Sequence, residues 1–295
     1  MDVYLLSQLA NGLIFGLLYA LIALGLSVIF SIMRVVNFAH GEFFMLGGYV
    51  LFALTVPLGL PPLLGLVGAM AGVAAFGVVV ERLLLRPIYT TRIERPEEYA
   101  IILTFGLGLL LQNAALTGIG PYELTPASFF SGSANVMGDL WLSRDRLFAA
   151  GMAVVLIAAA LVFFYRTWWG KALLATAQNR LGAAVVGIDV IAMNRLAVAI
   201  ASLLAGAAGA LIAPIFLVYP DVGIVPVVKA FTIIVLGGLG SIPGAVIGAL
   251  LLGVVEALGS VYISVAYRDV YAFLLLILVL LFRPQGLLGQ RERRA

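Results

Sequence analysis

The sequence has no cysteine, one histidine and few charges. Without cysteine there is no disulfide, no zinc–thiolate site and no thiol nucleophile. A single histidine excludes a multi-histidine metal centre within the chain. Charged residues make up 11% of 295, less than half the ~25% usual in soluble domains. The net charge of +3 reads as an asymmetry between loops and not as a nucleic-acid footprint. Motifs for self-contained chemistry are missing too. Gly170-Lys171 is followed by Ala172, so no phosphate-cradling P-loop is present. His40 has Gly41 and Glu42 after it but no second histidine, and Leu239 stands where a nucleophile elbow at Ser241 would need glycine. An enzyme is disfavoured and no cofactor is implied. Active transport would draw its energy from a partner or an ion gradient.

What is abundant is apolar sequence, 63% of the chain, which excludes intrinsic disorder. Roughly 20 apolar residues cross a bilayer as a helix. Candidate spans are Leu5–Ile32, Phe43–Val56, Leu63–Val80, Tyr99–Leu116, Leu147–Phe164, Leu196–Leu211, Ala230–Leu236, Ala245–Val255 and Val270–Phe282. The expected fold is therefore all-α: one polytopic transmembrane domain over residues 1–295, with eight or nine spans, some of them broken half-helices. The first run is too long for a signal-peptide core and, with Asp2 its only preceding charge, reads as a retained span. Glycine, 33 residues, suits close helix packing; Gly12/Gly16, Gly68/Gly72 and Gly240/Gly244/Gly248 have small-residue spacing.

Arg34, the segments Glu81–Glu98 and Arg166–Arg195, and the tail from Arg283 hold 13 of the 17 basic residues, including Arg92, Arg291, Arg293 and Arg294. If they face the cytoplasm, spans one to six alternate consistently. The N-terminus and the turn-rich loop Thr117–Arg146, with Pro121, Pro126 and Gly138, are then outside.

Two breaks in apolar sequence, one per half, point to a transporter's central site. The first is Asn37-Phe38-Ala39-His40-Gly41-Glu42, whose polar groups either line a path or sit satisfied in an interfacial loop. The second is Gly237–Gly244, which holds Gly237, Gly238, Gly240 and Ser241; it is either a pair of half-helix ends offering backbone to a solute or an ordinary hairpin. Lys229 and Glu256 flank it, and snorkelling to the interface is the commoner explanation for such lone charges.

Trp168–Arg195 reads as an amphipathic helix outside the bilayer. Leu173, Leu174, Ala177, Leu181 and Val185 recur at helical spacing, opposite Lys171, Gln178, Asn179 and Arg180, and Gly187 marks the stop. It fits either a membrane surface or a groove on a partner.

The stretches Asn11–Tyr49, Glu81–Ile88, Ile102–Asn113, Gly170–Asp189, Lys229–Glu256 and Arg283–Gly289 together resemble the permease subunits of branched-chain amino-acid ABC transporters, LivH type. The resemblance implies a multi-pass importer subunit of the bacterial inner membrane. Its partners would be a second homologous permease, two cytoplasmic ABC ATPases and a periplasmic solute-binding protein. It implies that Gly170, Lys171, Ala177, Asn179, Arg180, Gly187, Ile188 and Asp189 belong to the ATPase-docking segment. The two breaks themselves place the path near Asn37, His40, Gly41, Glu42, Gly237, Gly238, Gly240 and Ser241. Urea and short amides are alternative solutes within the family. A stand-alone secondary transporter is the alternative outside it.

Overall fold

The computed structural model describes residues 3–90, 93–137 and 140–289. Asp2, Arg92, Gly138, Arg291, Arg293 and Arg294 lie outside the described residues. Helix dominates. In order come α1 (Val3–Met33), α2 (His40–Thr55), α3 (Pro62–Val80) continued by a π-helical turn (Glu81–Leu85), and the short α4 (Pro87–Thr90). Then follow α5 (Pro96–Gly118), a two-stranded hairpin of β1 (Ser133–Met137) and β2 (Leu140–Ser143), and α6 (Arg144–Arg166). The rest is α7 (Trp168–Gln178), α8 (Arg180–Val185), α9 (Val190–Phe216), α10 (Ile224–Gly237), α11 (Ile242–Tyr262) and α12 (Arg268–Phe282).

Seven helical stretches among the described residues are long and apolar enough to cross a membrane: α1, α3 with its extension, α5, α6, α9, α11, and α12 with the 3-10 turn before it. Each falls on an expected span. The other two expected spans are α2 and α10, of 16 and 14 residues. At 1.5 Å per residue they reach only about 24 and 21 Å, short of a ~30 Å hydrocarbon core. The bundle is thus seven crossing helices and two part-crossing ones, in keeping with the expected broken half-helices.

The core is built around α1 and α9, whose small residues let backbones touch. A Cβ on Gly12 would strike the Gly253 carbonyl of α11, and one on Gly47 of α2 would strike the Gly206 carbonyl of α9. With lipid as solvent, such close packing and not water exclusion holds helices together. Leu18, Leu21, Leu24 and Ile29 of α1 are fully buried. By contrast α5, α6 and α12 turn wide apolar faces outward, for example Ile102, Phe105, Leu110, Val155, Ile277 and Leu281.

The basic segments gather at one end. Glu81, just after α3, faces Arg195 near the start of α9 at 3.7 Å. Gly240 packs on Ser31 near the end of α1. Met33, Arg34, Ile88, Tyr89, Arg180 and Val190 surround one groove. At the opposite end, Leu124 bridges Val218, and Arg146 donates to Asn11 Oδ1 at 2.9 Å.

The region after α6 is not one amphipathic helix. It breaks at Asn179, whose backbone is extended and whose Oδ1 accepts from Gly182 N–H at 2.8 Å. Asparagine competes with the helix for this kind of local bond, so it caps α8 instead of continuing α7. The apolar stripe is divided as a result: Leu173 is buried in the bundle, whereas Leu181 and Val185 are 81% and 87% exposed.

Candidate functional site

The first break is built from inside. After Met33 the chain turns at Arg34 and runs without helix to Ala39 before α2 starts at His40. Irregular backbone at membrane depth needs protein partners. Phe38 N–H donates to Thr104 Oγ1 of α5 at 3.1 Å, and Ala39 N–H donates to Asn37 Oδ1 at 3.1 Å. His40 is wholly buried; its Nε2–H donates to the Ile22 carbonyl at 3.0 Å, pinning the start of α2 partway along α1. Asn37 Nδ2 and Glu42 Oε2 are buried and have no hydrogen-bond partner among the described residues.

Gly41 then meets Gly223, the residue before α10. A Cβ on either would land on the other's carbonyl oxygen. Two part-crossing helices therefore bring their N-termini together within the bundle. Each end carries roughly half a positive charge, although most first-turn N–H groups are taken up locally, Glu42 N–H by the Ala39 carbonyl at 3.0 Å and Ile224 N–H by the Asp221 carbonyl at 3.1 Å. Glu42 lies in the first turn of α2 and packs toward Gly108 of α5; Asp221 precedes Gly223 by two residues and is exposed. Beside this junction the Phe38 ring lies 5.2 Å from Phe231 and 6.5 Å from Phe105, centroid to centroid. Val225 and Val228 are exposed on α10. The result is an apolar wall with two polar helix ends at its edge.

The second expected break lies elsewhere. Gly237, Gly238, Gly240 and Ser241 form the tight turn between α10 and α11, roughly 20 Å from Gly41 by the length of α10. Gly237 packs against Gly244, and Ser241 Oγ accepts from Gly244 N–H at 3.1 Å. The carbonyls of Leu236 and Gly237 accept from Leu287 and Leu288 of the tail, each at 2.9 Å. These backbone groups are therefore occupied. The half-helix partner of the first break is instead the start of α10. Its turn, Tyr219-Pro220-Asp221-Val222-Gly223, carries Pro, Asp and Gly between apolar runs, a readable turn signal overshadowed by the richer glycine cluster downstream.

Lys229 and Glu256 do not snorkel. They are 5% and 0% exposed and hydrogen-bonded to each other. Arg268 Nε donates to the second Glu256 oxygen at 2.8 Å, and Asp269 lies 3.1 Å from the Lys229 ammonium. Lys229 also sits 5.3 Å over the Tyr19 ring and Arg268 5.3 Å over Phe15. A buried charge without a partner is costly; two cations and two carboxylates offset one another here, and Asp269, 72% exposed, carries the network to the surface.

The expected docking residues cluster at the basic end. Gly170 is pressed onto the Phe163 and Phe164 backbone, and Thr167 caps α7 by accepting from Gly170 N–H at 3.0 Å. Lys171 is exposed, and Ala177 and Ile188 are half-buried. Arg180 stacks on Tyr89 at 6.0 Å. Gly187 has φ +86°, a conformation that ends the segment and suits glycine. Asp189 Oδ1 accepts from Ile191 and Ala192 N–H at 2.9 and 3.0 Å, capping α9.

A family model described as branched-chain amino acid transport system / permease component matches residues 8–280. The high-affinity branched-chain amino acid transport system permease protein LivH of Escherichia coli K12 is 35% identical, over 98% of this chain and 97% of its own. The corresponding protein BraD of Pseudomonas aeruginosa is 36% identical, over 97% and 96%. LivM of Salmonella typhimurium, named a permease protein of the same kind of system, is 28% identical over 92% of this chain and 68% of its own. The chain therefore belongs to the family of branched-chain amino acid transport permease components, as a multi-pass inner-membrane subunit.

Proposed function

We propose that this chain forms one half of the translocation path of an ABC importer for amino acids with apolar side chains, branched ones foremost. A second permease of the same fold completes the path, a periplasmic binding protein delivers the solute, and two cytoplasmic ATPases supply the energy. The likeness to both LivH and LivM supports the pairing of two related permeases. The basic end faces the cytoplasm in this reading.

The observation that carries the path is the Gly41–Gly223 junction. A zwitterion can set its carboxylate against two converging helix N-termini and lay its side chain on Phe38, Phe105 and Phe231. The exposed faces of α5 and α10 beside it, including Phe105 and Val228, would be covered by the second permease. At the basic end, Leu181, Val185 and Val186 stand free as apolar anchors for an ATPase groove. Movement of α8 passes to α9 through the Gly187 turn and the Asp189 cap.

The test is reconstitution. The permease pair, ATPases and binding protein in liposomes should accumulate leucine, isoleucine or valine only with ATP, and urea not at all. Uptake by the purified chain alone without ATP would overturn the reading.

A further inference from the structure

A groove of about 470 Å³ opens at the basic end, between the end of α1, the α4–α5 corner, α8 and the start of α9. Arg34 and Arg180 line it together with Glu97 and Tyr89; Arg34 and Glu97 are exposed, Arg180 and Tyr89 half-buried. Arg180 Nη2 and the Tyr89 hydroxyl are buried atoms with no hydrogen-bond partner among the described residues. Arg34 and Glu97 form no ion pair among the described residues either. The remaining wall is apolar, with Met33, Val35, Ile88, Leu181 and Ile191. Buried donors left open in a cavity of small-molecule size are what a bound ligand satisfies.

The backbone adds an independent sign. Arg34 has φ +57°, where a side chain is disfavoured and glycine is at ease. A residue kept in such a conformation directs attention to its side chain.

We propose that this groove is a second, cytosolic site for a zwitterionic amino acid with an apolar side chain, and that its occupancy inhibits import. Arg34 and Arg180 take the carboxylate, Glu97 takes the ammonium and the apolar wall takes the side chain. Bound there, the amino acid ties α8 to α1 and to the α4–α5 corner. Leu181 both lines the groove and belongs to the exposed docking stripe, so a filled groove holds the docking segment still when ATP hydrolysis should move it. The assignment rests on the transport reading above for the identity of the solute.

The experiment uses the complete transporter in liposomes with ATP inside, measuring initial uptake of labelled leucine at rising internal leucine. Wild-type uptake should fall as internal leucine reaches the millimolar range. Arg34→Gly, which suits the local backbone, and Glu97→Gln, at an exposed position, should each keep uptake into empty vesicles. Each should raise the half-inhibiting internal concentration roughly 10-fold or more, as expected when a charge-assisted contact is lost. Internal leucinol, which lacks the carboxylate, and 4-methylpentanoate, which lacks the ammonium, should inhibit weakly. Uptake indifferent to internal leucine overturns the proposal. So do variants inhibited like wild type, or 4-methylpentanoate acting as well as leucine, which would make the groove a simple anion site. Failure of the wild-type complex to import any amino acid overturns the transport reading itself.

Discussion

Lys229 of α10 and Glu256 of α11 form a buried ion pair, and Arg268 and Asp269 at the start of α12 close it into a four-charge network. The network ties the part-crossing helix to the two helices that follow it, while α1 supplies the aromatic faces of Phe15 and Tyr19. The helix whose N-terminus meets Gly41 is thereby anchored on its other side.

That anchoring predicts non-additive mutational costs. Lys229→Met leaves Glu256 with Arg268, and Glu256→Gln leaves Lys229 with Asp269; because neither charge is fully orphaned, each should destabilise by about 1.5–3 kcal/mol, the worth of a charge-assisted hydrogen bond. The double replacement Lys229→Met with Glu256→Gln should cost less than the sum of the two. Thermal unfolding of the purified complex in detergent checks this, and strictly additive losses would contradict the coupling.

The junction predicts a steric veto. Gly41→Ala or Gly223→Ala places a methyl on the opposing carbonyl, and should abolish amino-acid uptake. Gly151→Ala is the control, because nothing lies within 4 Å of its Cβ position; it should transport normally. Uptake and membrane insertion are measured together. Full activity of both junction variants would remove Gly41–Gly223 from the path.

The docking segment predicts uncoupling. Asp189→Ala removes a cap worth about 1 kcal/mol, too little to unfold the bundle, while Gly187→Val strains a backbone at φ +86°. Both should insert normally, yet lower uptake per ATP hydrolysed. Normal uptake by both would refute the docking role.

Exposed anchors predict a partner-specific defect. Leu181→Ser with Val185→Ser removes apolar surface that the bundle does not bury. The permease should keep its thermal stability but lose the ATPases on size-exclusion chromatography. Retention of the ATPases would place their contact elsewhere.

How much of this was readable beforehand depends on range. Residue type and spacing were enough for the seven long helices, because a run of apolar residues is a local property and a bilayer rewards it directly. Asn37–Glu42 was readable as a break for the same reason. The contact of that break was not: Gly237–Ser241 carries the stronger glycine signal, whereas the fold packs Gly223 on Gly41 and gives the Leu236 and Gly237 carbonyls to the tail. Asn179 looked like part of a polar helix face, although its side chain ends one helix and starts another. Lys229 and Glu256 stand 27 residues apart in sequence, and no periodicity announces that pairing.

The amino-acid sequence by itself determined that the chain lives in a membrane, that it is helical throughout its spans, the core of each span though not its ends, and which segments carry the positive charge. These follow from transfer energies and helical spacing, which act over neighbouring residues. Tertiary structure alone decided that Gly41 meets Gly223, that four charges neutralise one another between α10, α11 and α12, and that Arg34, Arg180 and Glu97 share a groove. Each is a contact between distant segments, made possible where small residues let helix backbones approach and where desolvated charges must find their opposites.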